Sequence, residues 1–255
     1  VSRPLALITG GTSGIGRGIA LALAPRFDLA LGYATDESKA SQAVEEIHRA
    51  YPDTQIKVFR ALLTNAEEAT AFYRQVVSDS GRAPSVLVNN AGRLSDGLFL
   101  GSDLPAYLSV LNEHLVVSLA LTHAALKPMY REKFGRILNL SSISATYAKR
   151  GQSNYAAAKA GIEGFTRTLA LEVAHRGVTV NAIAPGLIDT PLTRPLLERI
   201  QAEEPSLRDR VPVGRAGTPA EVGALAAFLC SDEASYITGA VIPIDGGRSL
   251  GDSRS

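Results

Sequence analysis

Apolar and polar positions along the chain follow two alternating rhythms. Short runs are apolar at nearly every position: LALIT (5–9), LALGYA (29–34), QIKVFRA (55–61), SVLVNNAG (85–92), GRILNLSS (135–142), VTVNAIAPG (178–186) and AVIPIDGG (240–247). They predict strands. Between them, apolar residues recur three and four apart and predict helices over 15–24, 37–51, 66–79, 104–132, 154–175 and 219–230. Gly177 stands where the fifth helix needs a left-handed cap. Strands apolar on both faces leave no face for water, so the sheet must be parallel and covered on both sides. Right-handed crossovers then give a doubly wound α/β sheet of about seven strands, with helices on both faces. No repeat, linker or composition shift divides the chain. Residues 1–247 are read as a single domain and 248–255 as a polar tail.

Composition narrows this little. The 255 residues suit one large α/β domain, and 45% hydrophobic, 20% charged and a net charge of +1 are ordinary for a globular chain. No basic excess points to nucleic acid. The one cysteine, Cys230, allows no internal disulfide and suits a reducing compartment. Four scattered histidines and one cysteine offer no metal-ligand spacing, so no metal is expected. No apolar run approaches about 18 residues, and the apolar part of VSRPLALITGG is too short for a signal peptide. A cytoplasmic protein with no membrane partner is expected.

The first strand–helix junction carries TGGTSGIG (9–16). Gly10, Gly14 and Gly16 permit a tight turn and close approach of a pyrophosphate, and the helix behind them presents unpaired N–H groups. Thr12, Ser13 and Ile15 complete a dinucleotide-binding loop of the Rossmann type. An NAD-selective site usually has an acid at the end of the second strand. Here GYAT carries none before Asp36, and Ser13, Tyr33 and Thr35 can donate to a 2′-phosphate. NADP(H) is therefore the expected cofactor.

NYAAAKAG (154–161) sets Tyr155 and Lys159 four apart, on one helix face. Ser142 lies at the C-terminal end of the fifth strand, the sheet edge where ligands bind. An ammonium about 4 Å from a phenol, at an effective dielectric near 20, favours the phenolate by roughly 4 kcal/mol, or about three pKa units. Tyr155 then becomes an acid or base usable near neutral pH, with Ser142 bonding the developing alkoxide.

With these pieces, TGGTSGIG, NNAG (89–92), Ser142, YAAAK (155–159), APG (184–186) and ITGAVIPIDGG (237–247), the chain resembles the short-chain dehydrogenase/reductase superfamily over nearly its whole length. The resemblance implies that Ser142, Tyr155 and Lys159 are catalytic and that Lys159 also binds the nicotinamide ribose. It implies that Asn89 stabilises the central strands while Ala91 and Gly92 line the adenosine ribose. Pro185, Gly186 and Ile188 would face the nicotinamide, with Thr190 near its carboxamide or the phosphates. It also implies a homotetramer.

Two positions depart from that family. Its fourth catalytic residue is usually an asparagine that holds a water next to the lysine; the position falls here on His114. Asn112, about 200° round the helix, faces away. His114 either replaces the asparagine, holding the water or passing protons itself, or is structural, or marks a broken relay. The second departure is Leu62, where relatives carry Asp or Asn against the adenine; its loss weakens cofactor binding by about 1 kcal/mol.

RGQSNYAAAKAG (150–161), VTVNAIAPGLIDT (178–190) and FLCSDEASYITG (228–239) are most similar to 3-oxoacyl-(acyl-carrier-protein) reductases. That similarity implies reduction of a β-keto thioester, with Gln152 beside Ser142 and Tyr155 in contact with substrate; ISATYAKR (143–150) should form the opposite wall, with Tyr147 either touching substrate or merely a surface aromatic. Acyl carrier proteins are acidic, so a basic patch at the site mouth should dock them, with Lys133 and Arg176 as its cations. Residues 187–216 are expected to form a mobile lid. Another ketone or alcohol as substrate, or a cofactor-binding relative with weak turnover, are the alternatives.

Overall fold

In a computed structural model, residues 3–93, 95–203, 207 and 210–250 are described. Seven strands among them form one parallel sheet: β1 Leu5–Ile8, β2 Asp28–Tyr33, β3 Ile56–Arg60, β4 Val86–Asn89, β5 Gly135–Leu140, β6 Val178–Pro185 and β7 Val241–Ile244, in the order β3-β2-β1-β4-β5-β6-β7. The helices are α1 Gly14–Leu23, α2 Glu37–Ala50, α3 Ala66–Ser80, α4 Leu104–Leu111, α5 Val117–Glu132, α6 Ser153–Val173, α7 Arg194–Glu203 and α8 Pro219–Leu229. Asp36 and Asn65 cap α2 and α3, and a Thr218–Glu221 capping box starts α8. Gly177 adopts φ +67 behind α6, as predicted. The doubly wound sheet is thus the one the strand rhythm calls for.

Strand alternation divides the core. Ala6, Ile8, Leu29, Leu31, Val86 and Val88 face one side with α1 and α8, whereas Leu5, Leu7, Ala30 and Leu87 face the other with α3, α5 and α6. Chain order reverses between β1 and β4, which pair directly as Ala6↔Val86, Leu7↔Leu87 and Ile8↔Val88. The loops leaving their C-terminal ends must diverge there, and that divergence opens the ligand crevice.

Helices α1 and α8 cross on glycine. A Cβ on Gly18 would lie 2.3 Å from the Pro219 carbonyl oxygen, and one on Gly223 would lie 2.3 Å from the Gly18 oxygen. Gly223→Ala is expected to push the helices apart and cost about 2–3 kcal/mol of unfolding free energy. Urea unfolding would read this, and an unchanged midpoint would refute the close crossing.

The predicted helix over 104–132 is interrupted. Asn112–Val116 forms a π-helical turn between α4 and α5, a local widening that periodicity alone does not reveal. By length and composition this Leu104–Glu132 stretch could cross a membrane. Its Val117, Leu121, Ala125 and Met129 are instead buried with β5 and β6 residues such as Ile137 and Val180.

The 187–216 segment is a closed excursion. Its base is pinned by Asp189 N to Gly217 O (2.8 Å) and Gly217 N to Leu187 O (2.9 Å). Leu187, Leu197, Ile200 and Val211 form a small core of its own. Here it is folded over the crevice; residues 204–206, 208 and 209 of the expected lid lie outside the described residues.

Candidate active site

A cavity of about 860 Å³ opens along the C-terminal edge of the sheet. Gly10, Thr12, Ser13, Gly14 and Ile15 line one end, with Tyr33, Thr35 and Leu62 beside them. Ala91 and Gly92 line its middle. Ser142, Tyr147, Gln152, Tyr155 and Lys159 join it from β5 and α6. Pro185, Gly186, Ile188 and Thr190 close it from the segment after β6. The predicted catalytic and cofactor residues therefore meet in one space, with two exceptions. Gly16 packs under the loop, where a Cβ would strike the Gly10 oxygen at 2.1 Å. Asn89 is buried, its Nδ2 donating to Asn139 Oδ1 (2.8 Å) and Thr122 Oγ1 (3.0 Å), so it ties β4 to its neighbours. Asn90 does the work at the loop: its Nδ2 donates to the Thr9 oxygen at 2.8 Å.

The glycine loop suits a dinucleotide phosphate. Ser13, at the N-cap of α1, makes no capping hydrogen bond, and the first turn of α1 holds no acid. The helix N–H groups thus face the cavity without a competing internal anion.

The Tyr155–Lys159 pair differs from expectation. The Lys159 ammonium lies 5.4 Å from the centre of the Tyr155 ring and donates to the Leu140 carbonyl. It faces the Tyr155 ring. Burial pushes the phenol up to about 12, with the Ser142 hydroxyl opposing and the Asp96 charge adding to the rise. Burial also pulls Lys159 down to about 7. Burial, not the lysine, is thus the main influence on the phenol, and it favours the protonated form.

His114 sits on the π turn, 4% exposed, with its ring edge-on to Tyr155 at 5.1 Å between centroids. Nε2 lies 2.8 Å from the Arg93 carbonyl oxygen, which only accepts, so Nε2 carries the proton. Nδ1 is then a buried acceptor with no described protein partner. Gly92 is required beside it: a Cβ there would fall 2.0 Å from the ring. Burial, reinforced by the Lys159 charge, lowers His114 to about 3, against the hydrogen bond to Arg93. This shift works against a charged His114 ring near neutral pH, so a role as an acceptor fits the site better than one as a protonated shuttle.

This has a cost in acid. Below about pH 6.5 the unfolded chain binds a proton at His114 that the folded chain refuses, so stability falls as pH drops toward 3. Between pH 6.5 and 4.5 the wild type is expected to lose about 2–3 kcal/mol more than His114→Asn. Equal losses in urea unfolding would show that the ring is not held neutral.

Several residues at the site were not anticipated. Lys39 lines the adenosine end and pairs with Asp36 at 2.7 Å, so the first acid after β2 is already engaged. A cation one turn into the helix after β2 is the sequence signal for it. Arg93 grips buried Glu113 through Nε at 2.8 Å to both oxygens, which fixes the loop whose carbonyl holds His114. Asp96 accepts from Gln152 Nε2 (3.0 Å) and Lys149 (3.1 Å), so the Gln152 amide is occupied.

Lys133 and Arg176 are elsewhere. They immediately precede β5 and β6, on the opposite edge of the sheet from the cavity, because a parallel sheet puts every strand start on one side. Lys133 caps α5 with φ 53. Arg176 donates to the Tyr130 oxygen and stacks on its ring at 4.5 Å. Within one chain they do not form a basic patch at the site mouth, and that expectation is corrected.

Comparison with known proteins adds the following. The family described as enoyl-(acyl carrier protein) reductase matches residues 10–249. The chain is 39% identical over 246 residues to the 3-oxoacyl-(acyl-carrier-protein) reductase FabG of Pseudomonas aeruginosa, covering 96% of this chain and 97% of that protein. It is 39% identical over 245 residues to the acetoacetyl-CoA reductase of Shinella zoogloeoides, covering 96% and 98%. Among solved structures it is similar to YwfH, an NADPH-dependent reductase involved in bacilysin biosynthesis, with a TM-score of 0.88, 26% identity and coverage of 97% and 98%.

Proposed function

Because the chain belongs to the short-chain dehydrogenase/reductase family, whose members are oxidoreductases working with a nicotinamide cofactor, we propose that it reduces a 3-oxoacyl thioester, borne by an acyl carrier protein, to the 3-hydroxyacyl thioester with NADPH. Fatty-acid or polyketide-type synthesis is the corresponding setting. The observation that carries the reading is the single cavity joining the glycine loop to Ser142, Tyr155 and Lys159.

The adenosine end supports NADPH over NADH. Asp36 accepts from Lys39 N and pairs with its ammonium, while Tyr33 and Thr35 offer donors for a 2′-phosphate. The Ser13–Gly14 turn at the start of α1 would hold the pyrophosphate. When bound, the nicotinamide supplies the hydride. The chain supplies the rest: Ser142 holds the ketone oxygen, and Tyr155 protonates it as charge develops. Lys159, fixed by the Leu140 carbonyl, faces the Tyr155 ring with its cation and favours the phenolate left behind. His114 acts as a neutral acceptor: Arg93 fixes its tautomer, and Nδ1 holds a water that resupplies the proton through Lys159.

Docking of an acidic carrier falls to cations at the cavity itself, Lys149 and Arg199 among them, rather than to Lys133 and Arg176 of the same chain. We further read the chain as a cytoplasmic homotetramer. Exposed Leu104, Leu108 and Leu171 on the α4 and α6 faces, and Phe228 and Tyr236 near α8 and β7, support two interfaces.

The test is NADPH oxidation with acetoacetyl thioester, crotonyl thioester and a simple ketone. The reading requires clear preference for the acetoacetyl thioester; preference for the crotonyl thioester or the simple ketone overturns it. In the same assay His114→Ala is expected to lose about 10- to 100-fold in kcat while His114→Asn retains most of it. Full activity of the alanine variant would make His114 structural only.

A further inference from the structure

We propose that the end of the cavity around Arg248 binds an oxyanion carried by the substrate. Arg248 follows the Asp245–Gly247 turn after β7, so its side chain joins the cavity that holds Ser142 and Tyr155. Its guanidinium is partly buried, and among the described residues it makes no hydrogen bond or ion pair. The nearest carboxylate, Asp245, is turned to the backbone, accepting from Gly247 N at 2.9 Å and Ser249 N at 2.7 Å. Burial works against the Arg248 charge and Tyr147 in its favour; Arg210, lining the same space, acts against it, and Asp245 favours it. Tyr147, half-exposed on the opposite wall, adds a phenol that can donate.

A guanidinium withdrawn from water and left unpaired costs free energy, and a second cation beside it adds to the cost. An oxyanion meets Arg248 directly, because the guanidinium fork matches two of its oxygens. Leu192, Leu196 and Ile200 line the same cavity and give the rest of such a substrate an apolar wall. The anion is either the phosphate of a pantetheine arm or a carboxylate on the keto substrate. The first source rests on the thioester reading above; the second does not.

Calorimetry on the full chain loaded with NADP+ separates these. The probes are pantetheine, pantetheine 4′-phosphate and succinate, against wild type, Arg248→Met and Arg248→Lys. At least a tenfold preference for the phosphorylated arm over pantetheine, lost in Arg248→Met and partly kept in Arg248→Lys, assigns the site to the arm. Succinate binding that Arg248→Met removes, with no preference between the two arms, assigns it to a substrate carboxylate. If no probe distinguishes wild type from both variants, the anion site is overturned. Binding is read without turnover, so an inactive chain can still show the site, and an active one can lack it.

Discussion

Tyr155→Phe is expected to lower kcat for ketone reduction by about 10³-fold while the affinity for NADPH stays within a few-fold. The phenol sits in the cavity beside Ser142 and Lys159, and burial favours its protonated form. Burial holds it at about 12, with the Ser142 hydroxyl acting against the rise. Ser142 cannot take over, since a serine hydroxyl is far too weak an acid. Lys159 is engaged elsewhere, donating to the Leu140 carbonyl. Phenylalanine keeps the ring, and with it the edge-on contact to His114, so the fold and the cofactor end should be untouched. Single-turnover kinetics together with NADPH fluorescence titration would separate the two effects. A variant within tenfold of wild type in kcat would remove Tyr155 from the chemistry.

Lys159→Met is expected to act in opposite directions on activity and on stability. Turnover should fall by about 10²-fold or more, because the cation that favours the departing proton is gone. The unliganded protein, however, should become more stable near neutral pH. Lys159 is 4% exposed, and burial lowers it from 10.5 to about 7. Between those values the unfolded chain binds a proton that the folded chain has released, so wild-type stability rises with pH across that window. From pH 7 to pH 9 the wild type should gain about 2–3 kcal/mol relative to Lys159→Met. The lost donor to the Leu140 carbonyl offsets part of the variant's advantage by about 1–3 kcal/mol, but it does not depend on pH. Parallel stability curves would show that the ammonium is not desolvated as the geometry requires.

The comparison of sequence with structure divides along the reach of each interaction. The strand rhythm, the Gly177 cap and the glycine loop are local devices, set by side-chain period and backbone freedom within a few residues, and they appear where the pattern puts them. The spacing of Tyr155 and Lys159 also survives, since a helix fixes which residues share a face. The electrostatic outcome does not. The sequence suggests a cation next to a phenol, but burial determines the sign of the shift, and burial depends on what β5 and the loop after β4 lay over the pair. Lys133 and Arg176 make the same point from the other side. Both were expected at the site mouth, yet each stands just before a strand, and the parallel sheet carries both to the edge away from the cavity.

By itself, then, the chain's pattern of apolar and polar positions determined a doubly wound sheet, while the glycine spacing and residue types pointed to a turn after β1 and to Ser142, Tyr155 and Lys159 at the sheet's C-terminal edge. Only the tertiary structure decided the protonation of that set, the π turn that aims His114, the fixing of its tautomer by Arg93 and the meeting of Arg248 with Arg210. The reason is physical. Helix and strand periods are written in neighbouring residues, whereas desolvation and charge–charge energies depend on distances between segments far apart in sequence.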